Sequence, residues 1–300
     1  MIAPKGDAAN RKVNDSMLKL KPKPIDHYEN FPLASWLCPP KLRYAVSAVY
    51  HFARTADDLA DEGEQGSVQR IDDLSEYRAD LNLCLSELNS KLQGPDTSSK
   101  RWPHIFGPLG IVIKEFQIPP ELLHRLLDAF EQDVLYSAAN LSYKNREELI
   151  QYCHKSAAPI GRIMLRLFNQ EDPKSLSQSD SICCALQLIN FWQDISIDIL
   201  RNRFYLPVDS TLEKEIAFAK KLMHAGAPLC LSIGGRAGWE LRAVVQGGLR
   251  MIEKIERVNT HLIRHRLTRL DYVLIAWRCC FKSSFSPTQH SSSNPPPYPT

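Results

Sequence analysis

From Lys41 onward this chain repeats apolar residues at the three- and four-residue spacing of an α-helix, and it shows no alternating runs with hairpin signals. The spacing predicts helices near 41–62, 68–93, 119–138, 146–169, 176–200, 211–225, 237–260 and 267–281. Turn chemistry falls between them: GEQG after the first, QGPDTSSKRWP between two more, EDPKS before the fifth. With 300 residues, 44% of them hydrophobic, and no internal shift in composition, one large core is affordable. The expected fold class is all-α: a single domain of helices around a central cavity. Pro159 should kink the helix it interrupts. The neighbouring Ala157, Ala158 and Gly161 remove bulk there, either beside a ligand or for close helix packing.

Two of these segments carry aspartates four residues apart. YHFARTADDLADE, from Tyr50, holds Asp57 and Asp61; QLINFWQDISIDIL, from Gln187, holds Asp194 and Asp198. On a helix that spacing stacks both carboxylates on one face, where like charges repel unless a cation sits between them. The stripes continue at helical spacing through Tyr50 and Arg54 in the first segment and through Gln187 and Asn190 in the second. One acidic pair is ordinarily a solvated surface feature. Here each pair is embedded in apolar residues, among them Phe52, Phe191 and Trp192. That predicts two polar stripes facing a roofed cavity, able to hold Mg2+ and, through it, a substrate's phosphates.

Other functions are less compatible with the composition. A net charge of +3, with no basic residues clustered with aromatics in a recognisable nucleic-acid motif, argues against nucleic acid. The eight cysteines form no Cys-x-x-Cys pair and fit buried thiols in a reducing cytoplasm. No Gly-rich dinucleotide fingerprint follows a strand, so reduction by a nicotinamide cofactor is not expected. The polar, lysine-rich residues 1–24 read as a flexible leader rather than a signal peptide, 25–281 as the folded domain, and the Ser/Pro-rich 282–300 as a disordered tail. No apolar run approaches the length of a membrane span, and no amphipathic basic helix declares itself.

Five ordered segments resemble the squalene and phytoene synthase family. YHFARTADDLAD and QLINFWQDISID look like its two aspartate-rich motifs; HYENFP, His27 to Pro32, like its N-terminal substrate motif. YCHKSAAPIGR, Tyr152 to Arg162, is similar to the helix lining its cavity, and RNRFYLP, Arg201 to Pro207, to its basic flap. The wording of several segments, with ELRAVVQGGLRMIEKIE from Glu240, resembles the bacterial hydroxysqualene synthase branch of hopanoid biosynthesis.

The resemblance implies an isoprenoid-synthase helical bundle. It also implies Mg2+-dependent conversion of presqualene diphosphate to hydroxysqualene, with diphosphate released and water captured. Sister branches instead condense two prenyl diphosphates, such as farnesyl diphosphate, head to head to presqualene diphosphate, squalene or phytoene. A third reading is an inactive helical partner in a membrane-associated assembly. The implied metal ligands are Asp57, Asp61, Asp194 and Asp198, with the Asn190 amide oxygen. Arg54 and Arg203 would grip phosphate through guanidinium forks, with Tyr50, Tyr205 and Gln187 beside them. His27 and Phe31 would line the substrate's approach, and Tyr152 would act on the capturing water. Peripheral contact with the inner face of the membrane, and association with other hopanoid-pathway enzymes, follow from a lipid-like substrate. The chain passes from Val208 to Gly226 over a shorter connection than the resemblance leads one to expect.

Overall fold

The computed structural model describes residues 38–89, 99, 101–257, 264–281 and 285. It divides into two units, Met1–Val134 and Leu135–Thr300. Among the described residues every regular element is helical, and the one β-type contact is an isolated bridge between Ser142 and Phe204. The all-α expectation holds. No described helix is long and apolar enough to cross a membrane.

In the first unit a 3-10 turn at Pro40–Leu42 leads into α1 (Arg43–Asp61), followed by α2 (Ser67–Asn89) and α3 (Pro103–Phe116). A fourth helix, α4 (Pro120–Ala138), runs on past the boundary between units. Gly63, at φ +85°, supplies the left-handed step that turns the chain out of α1. Tyr77 is the hub of this core. Its ring stacks on Phe52 with centroids 5.4 Å apart and meets Phe106 and Trp102 at 4.9 Å, and its hydroxyl donates to the Phe52 carbonyl at 3.1 Å. Rings of this size each bury about 150–250 Å², worth roughly 4–6 kcal/mol at about 25 cal/mol per Å². Phe52, one of the apolar residues that surround the first acidic pair in sequence, is therefore a core residue.

The sequence reading missed α3, because Gly107, Pro108 and Gly110 look like breakers. The structure gives them a packing role. All three are buried, and a Cβ on Gly110 would press on Cys84 Sγ at 3.0 Å, so the glycine lets α3 lie close against α2.

The second unit is built around α7 (Pro173–Leu200), 28 residues long and capped by Asp172, whose carboxylate accepts from Ser175 N at 3.0 Å. Packed on it are α5 (Arg146–Ser156), α6 (Ala158–Leu167), α8 (Leu212–Gly226), the short α9 (Leu229–Ser232) and α10 (Gly235–Arg257). Finally α11 (Arg269–Cys279) lies on α10, started by a capping box between Thr268 and Asp271. The segment predicted as one helix over 146–169 breaks at Ala157, as Pro159 requires. A Cβ on Gly161 would collide with Ser179 Oγ and Cys183 Sγ, so of the two roles left open for the small residues, close packing of α6 on α7 is the one this glycine serves.

Buried charges in this unit are matched by guanidinium forks. Glu215 receives Arg146 at 2.7 and 3.0 Å, and Asp180 receives Arg162 at 2.8 and 3.1 Å. Such pairs cost more to break than they contribute intact, since removing one partner strands a buried charge.

Candidate active site

The first acidic cluster closes α1. The helix's last five residues hold Asp57, Asp58 and Asp61, Glu62 follows as its cap, and no basic residue occupies the last turn. Carboxylates at a helix C-terminus face the negative end of its dipole, at about 0.3–1 kcal/mol each. Arg54, one turn earlier, offsets part of this. Its Nη1 donates to Asp57 Oδ2 at 3.0 Å, and its Nη2 lies 2.6 Å from Glu62 Oε1 and 2.7 Å from Asp58 Oδ1. Burial pulls the Arg54 pKa down, but the surrounding carboxylates outweigh it and leave it above its ordinary value. The contact to Asp58 lacks hydrogen-bond geometry, so Asp58 Oδ1 is a buried oxygen held by charge alone. Burial raises the Asp58 pKa above the usual carboxylate value; Arg54 works against this, while Glu62 and Asp61 add to it.

The second cluster closes α7, which also has no basic residue in its last turn. Asp194 receives Arg264 in a forked pair, Nε at 2.6 Å and Nη2 at 3.1 Å, from 70 residues further along the chain. The Asp198 carbonyl accepts the amides of Arg201 (3.0 Å) and Arg203 (2.9 Å), and Asn202 takes the left-handed conformation at φ 57°. This turn sends the flap Arg203–Pro207 back along residues 142–143. Phe204 bridges to Ser142 there, and Val208 N donates to the Tyr143 carbonyl at 3.0 Å.

Between flap and helix lies a pocket of about 220 Å³. Asp198 and Arg203 give it one charge of each sign, and Phe191, Trp192, Ile195 and Tyr205 give it apolar walls. Tyr205 lies flat on Phe191, with centroids 3.7 Å apart and planes at 9°. Tyr152 and Tyr143 complete the cluster, with rings 5.7 Å from each other and about as far from Tyr205, at 6.0 and 6.1 Å. Both tyrosines are buried. The Trp192 indole N–H is buried with no acceptor among the described residues, a donor left uncommitted in the pocket wall.

The structure thus groups Asp198, Arg203 and Tyr205 around one pocket with Tyr152 behind it, and groups Tyr50, Arg54, Asp57 and Asp61 on α1. Gln187 is half-buried and Asn190 exposed on α7. His27 and Phe31 lie outside the described residues. Sequence reasoning missed Tyr143, Glu62 and Arg264. Glu62 was within reach, five residues beyond Asp57, whereas Arg264 sits in an aperiodic basic stretch that gives no sign of its target. From Val208 to Gly226 the chain makes a turn, with Ser210 Oγ 2.5 Å from Glu215 Oε1, and then forms α8.

A divalent cation fits these donors. Carboxylate oxygens suit Mg2+, which takes only one or two of them and keeps water and phosphate oxygens for the rest. Among the described residues no group of three or more His, Cys, Asp or Glu side chains converges on one point. The excess of carboxylates over Arg54 at the end of α1, and the Asp58 oxygen that has an ion pair but no hydrogen bond, are the features a cation would relieve.

The architecture is that of an all-α isoprenoid-synthase bundle. The squalene synthase HpnC from Alicyclobacillus acidocaldarius matches it with a TM-score of 0.66 at 27% identity, covering 85% of this chain and 96% of that one. A hydroxysqualene synthase of Zymomonas mobilis is 34% identical over 210 residues, 67% of this chain and 62% of the relative. One from Rhodopseudomonas palustris is 36% identical over 182 residues, 60% of this chain and 56% of the relative. The matched stretches thus span under two thirds of those relatives' own length. The squalene/phytoene synthase family pattern matches residues 26–217, more than half of the sequence, and the chain belongs to that family.

Proposed function

We propose that this chain ionises presqualene diphosphate and captures the resulting carbocation with water to give hydroxysqualene. The observation that carries the reading is the α7 pocket, where a carboxylate and a guanidinium share one small space with stacked aromatic faces. The names of the relatives support the choice of product. In the reaction the carbon–oxygen bond to diphosphate breaks with both electrons leaving on oxygen. Water then forms a new carbon–oxygen bond and gives up a proton, with the departed diphosphate as its acceptor.

Asp57 and Asp61 on α1, and Asp194 and Asp198 with the Asn190 amide on α7, would hold Mg2+. When bound, Mg2+ supplies the positive charge that the departing diphosphate needs. Arg203 grips phosphate oxygens directly, and Arg54 does so by exchanging one of its carboxylates for them. Tyr50, Gln187 and Tyr205 orient the same group by hydrogen bonds. At about 220 Å³ the pocket is below the roughly 300–1,000 Å³ of common small-molecule sites, so it takes the reacting end of the substrate and not its whole length. Phe191 and Tyr205 present π faces to the cation and exclude bulk water.

Tyr152 positions the capturing water. Tyr152→Phe is expected to leave diphosphate release nearly intact and to shift product away from the alcohol; an unchanged alcohol yield removes Tyr152 from that role. The reading as a whole is tested with purified full chain and Mg2+, without nicotinamide cofactor, and with presqualene diphosphate and farnesyl diphosphate in separate reactions. Hydroxysqualene from the former supports the proposal, products from farnesyl diphosphate move the chain to the condensing branch, and no product from either points to the inactive-partner reading.

A further inference from the structure

The C-terminal helix α11 presents the wrong side to solvent. Its carboxylate, Asp271, is 2% exposed and faces inward onto Arg250 (2.6 Å) and Lys254 (2.7 Å), and Arg278 reaches Glu253 at 2.6 Å. Meanwhile Leu270, Val273 and Trp277, spaced three and four residues apart, are 81%, 67% and 62% exposed, and Phe281 continues the stripe with its ring 4.8 Å from Trp277. On a helix, that spacing is one continuous apolar face.

The charge around this face has one sign. Residues 264–281 contain four arginines and only the buried Asp271 as an acid. Arg264 and Arg278 are engaged with Asp194 and Glu253, but Arg266 and Arg269 are exposed with no acidic partner among the described residues. The complement is therefore an anionic surface with an apolar layer beneath it. A second copy docking face to face across a two-fold axis would bring Arg266 and Arg269 against their own like charges. Of the chain's own terminal stretches, residues 1–24 are rich in lysine and residues 286–300 contain no acid, so neither of these two supplies the anionic complement.

We infer that the outward face of α11 docks on a bilayer bearing anionic headgroups, lying in the plane of the interface. Trp277 and Phe281 enter the headgroup–acyl boundary and Arg266 and Arg269 stay at the phosphates. The inference gives a location to the peripheral membrane contact expected of a lipid-like substrate, and its test does not depend on the reaction proposed above.

The test is co-sedimentation of the full chain with vesicles of phosphatidylcholine, with and without abundant phosphatidylglycerol, across a salt series. The wild type is expected to bind the anionic vesicles and to release as salt rises. The Arg266→Gln/Arg269→Gln pair should bind roughly thirtyfold more weakly, the factor that about 1 kcal/mol per basic residue converts to. Val273→Ser/Trp277→Ser should lose about a hundredfold from the lost apolar insertion, with far-UV circular dichroism unchanged. Brominated acyl chains should quench Trp277 emission, and Trp277→Phe should keep binding but lose that quench. Failure to bind anionic vesicles, or equal binding by the Val273/Trp277 pair, overturns the inference. So does light scattering in which that pair splits a wild-type dimer while vesicles are ignored, which would assign the face to self-association.

Discussion

The ends of α1 and α7 present the same problem and solve it differently. Each gathers carboxylates at the negative end of a helix dipole with no base in the last turn. At α1 the compensation is local: Arg54, three and four residues upstream of Asp57 and Asp58, spreads over three carboxylates and still leaves Asp58 Oδ1 without a hydrogen bond. At α7 it is remote: Arg264, from the segment before α11, forks onto Asp194 alone, and Asp198 turns to the flap pocket. A local arginine moves with its own helix, whereas a remote one ties its helix to another part of the fold. The α1 end is thus a charge cluster awaiting a cation, and the α7 end is a charge cluster joined to a cavity.

The strongest way to break this comparison is to neutralise one acid at each end. Asp57→Asn and Asp198→Asn should each lower turnover roughly a thousandfold, the loss of about 4 kcal/mol of charge stabilisation. Product assays on the two variants check this, and a tenfold gap between them would show that one end matters more.

Asp271 serves as a structural control, since it is as acidic as the others but buried and fully paired. Asp271→Asn should cost about 3 kcal/mol of stability by stranding Arg250 and Lys254, with turnover per folded molecule unchanged. Its hydrogen bonds to Lys254 and to the Thr268 backbone hold its pKa well below the usual carboxylate range. A depressed carboxylate stabilises the fold fully above its unfolded pKa, near 3.9, and that contribution is lost progressively as pH falls from there through the depressed folded-state value. Thermal melts of wild type and Asp271→Asn from pH 6 down to pH 3 (a range chosen to bracket that unfolded pKa) should therefore keep a constant gap at the upper end and only begin to draw together at the lower end, with most of the gap still present at pH 3.

Arg54→Gln removes the local compensation. The variant should lose about 1–2 kcal/mol without divalent metal and regain most of it when Mg2+ is added, a rescue larger than the wild type shows. Equal Mg2+ response in both proteins would sink the idea that the α1 end is short of positive charge.

The smallest effect is expected for Arg264→Gln. It releases Asp194, so half-maximal activation should need about fivefold less Mg2+, the worth of roughly 1 kcal/mol from a half-exposed pair. A Mg2+ titration of activity reads this directly.

The helical periodicity and the two acidic stripes were legible because both depend on residues a few positions apart. The break at Ala157 was legible for the same reason, through Pro159. What stayed hidden depends on partners distant in sequence. The glycines and proline of α3 read as breakers until Cys84 is seen beside Gly110. Arg264 gives no hint of Asp194 across 70 residues. The outward face of α11 escaped because apolar residues occupy both of its sides, and only packing on α10 decides which set is left outside. Tyr143 is another such case, an isolated tyrosine that becomes a wall of the aromatic cluster once the flap docks beside it.

The flat contact of Tyr205 on Phe191 has a consequence for temperature. The flap cannot leave α7 without wetting two aromatic faces, and exposing apolar surface raises heat capacity. If release of diphosphate waits on that separation, its rate will not follow a straight Arrhenius line: the plot will bend, and the curvature will report how much of the stack is opened at the barrier.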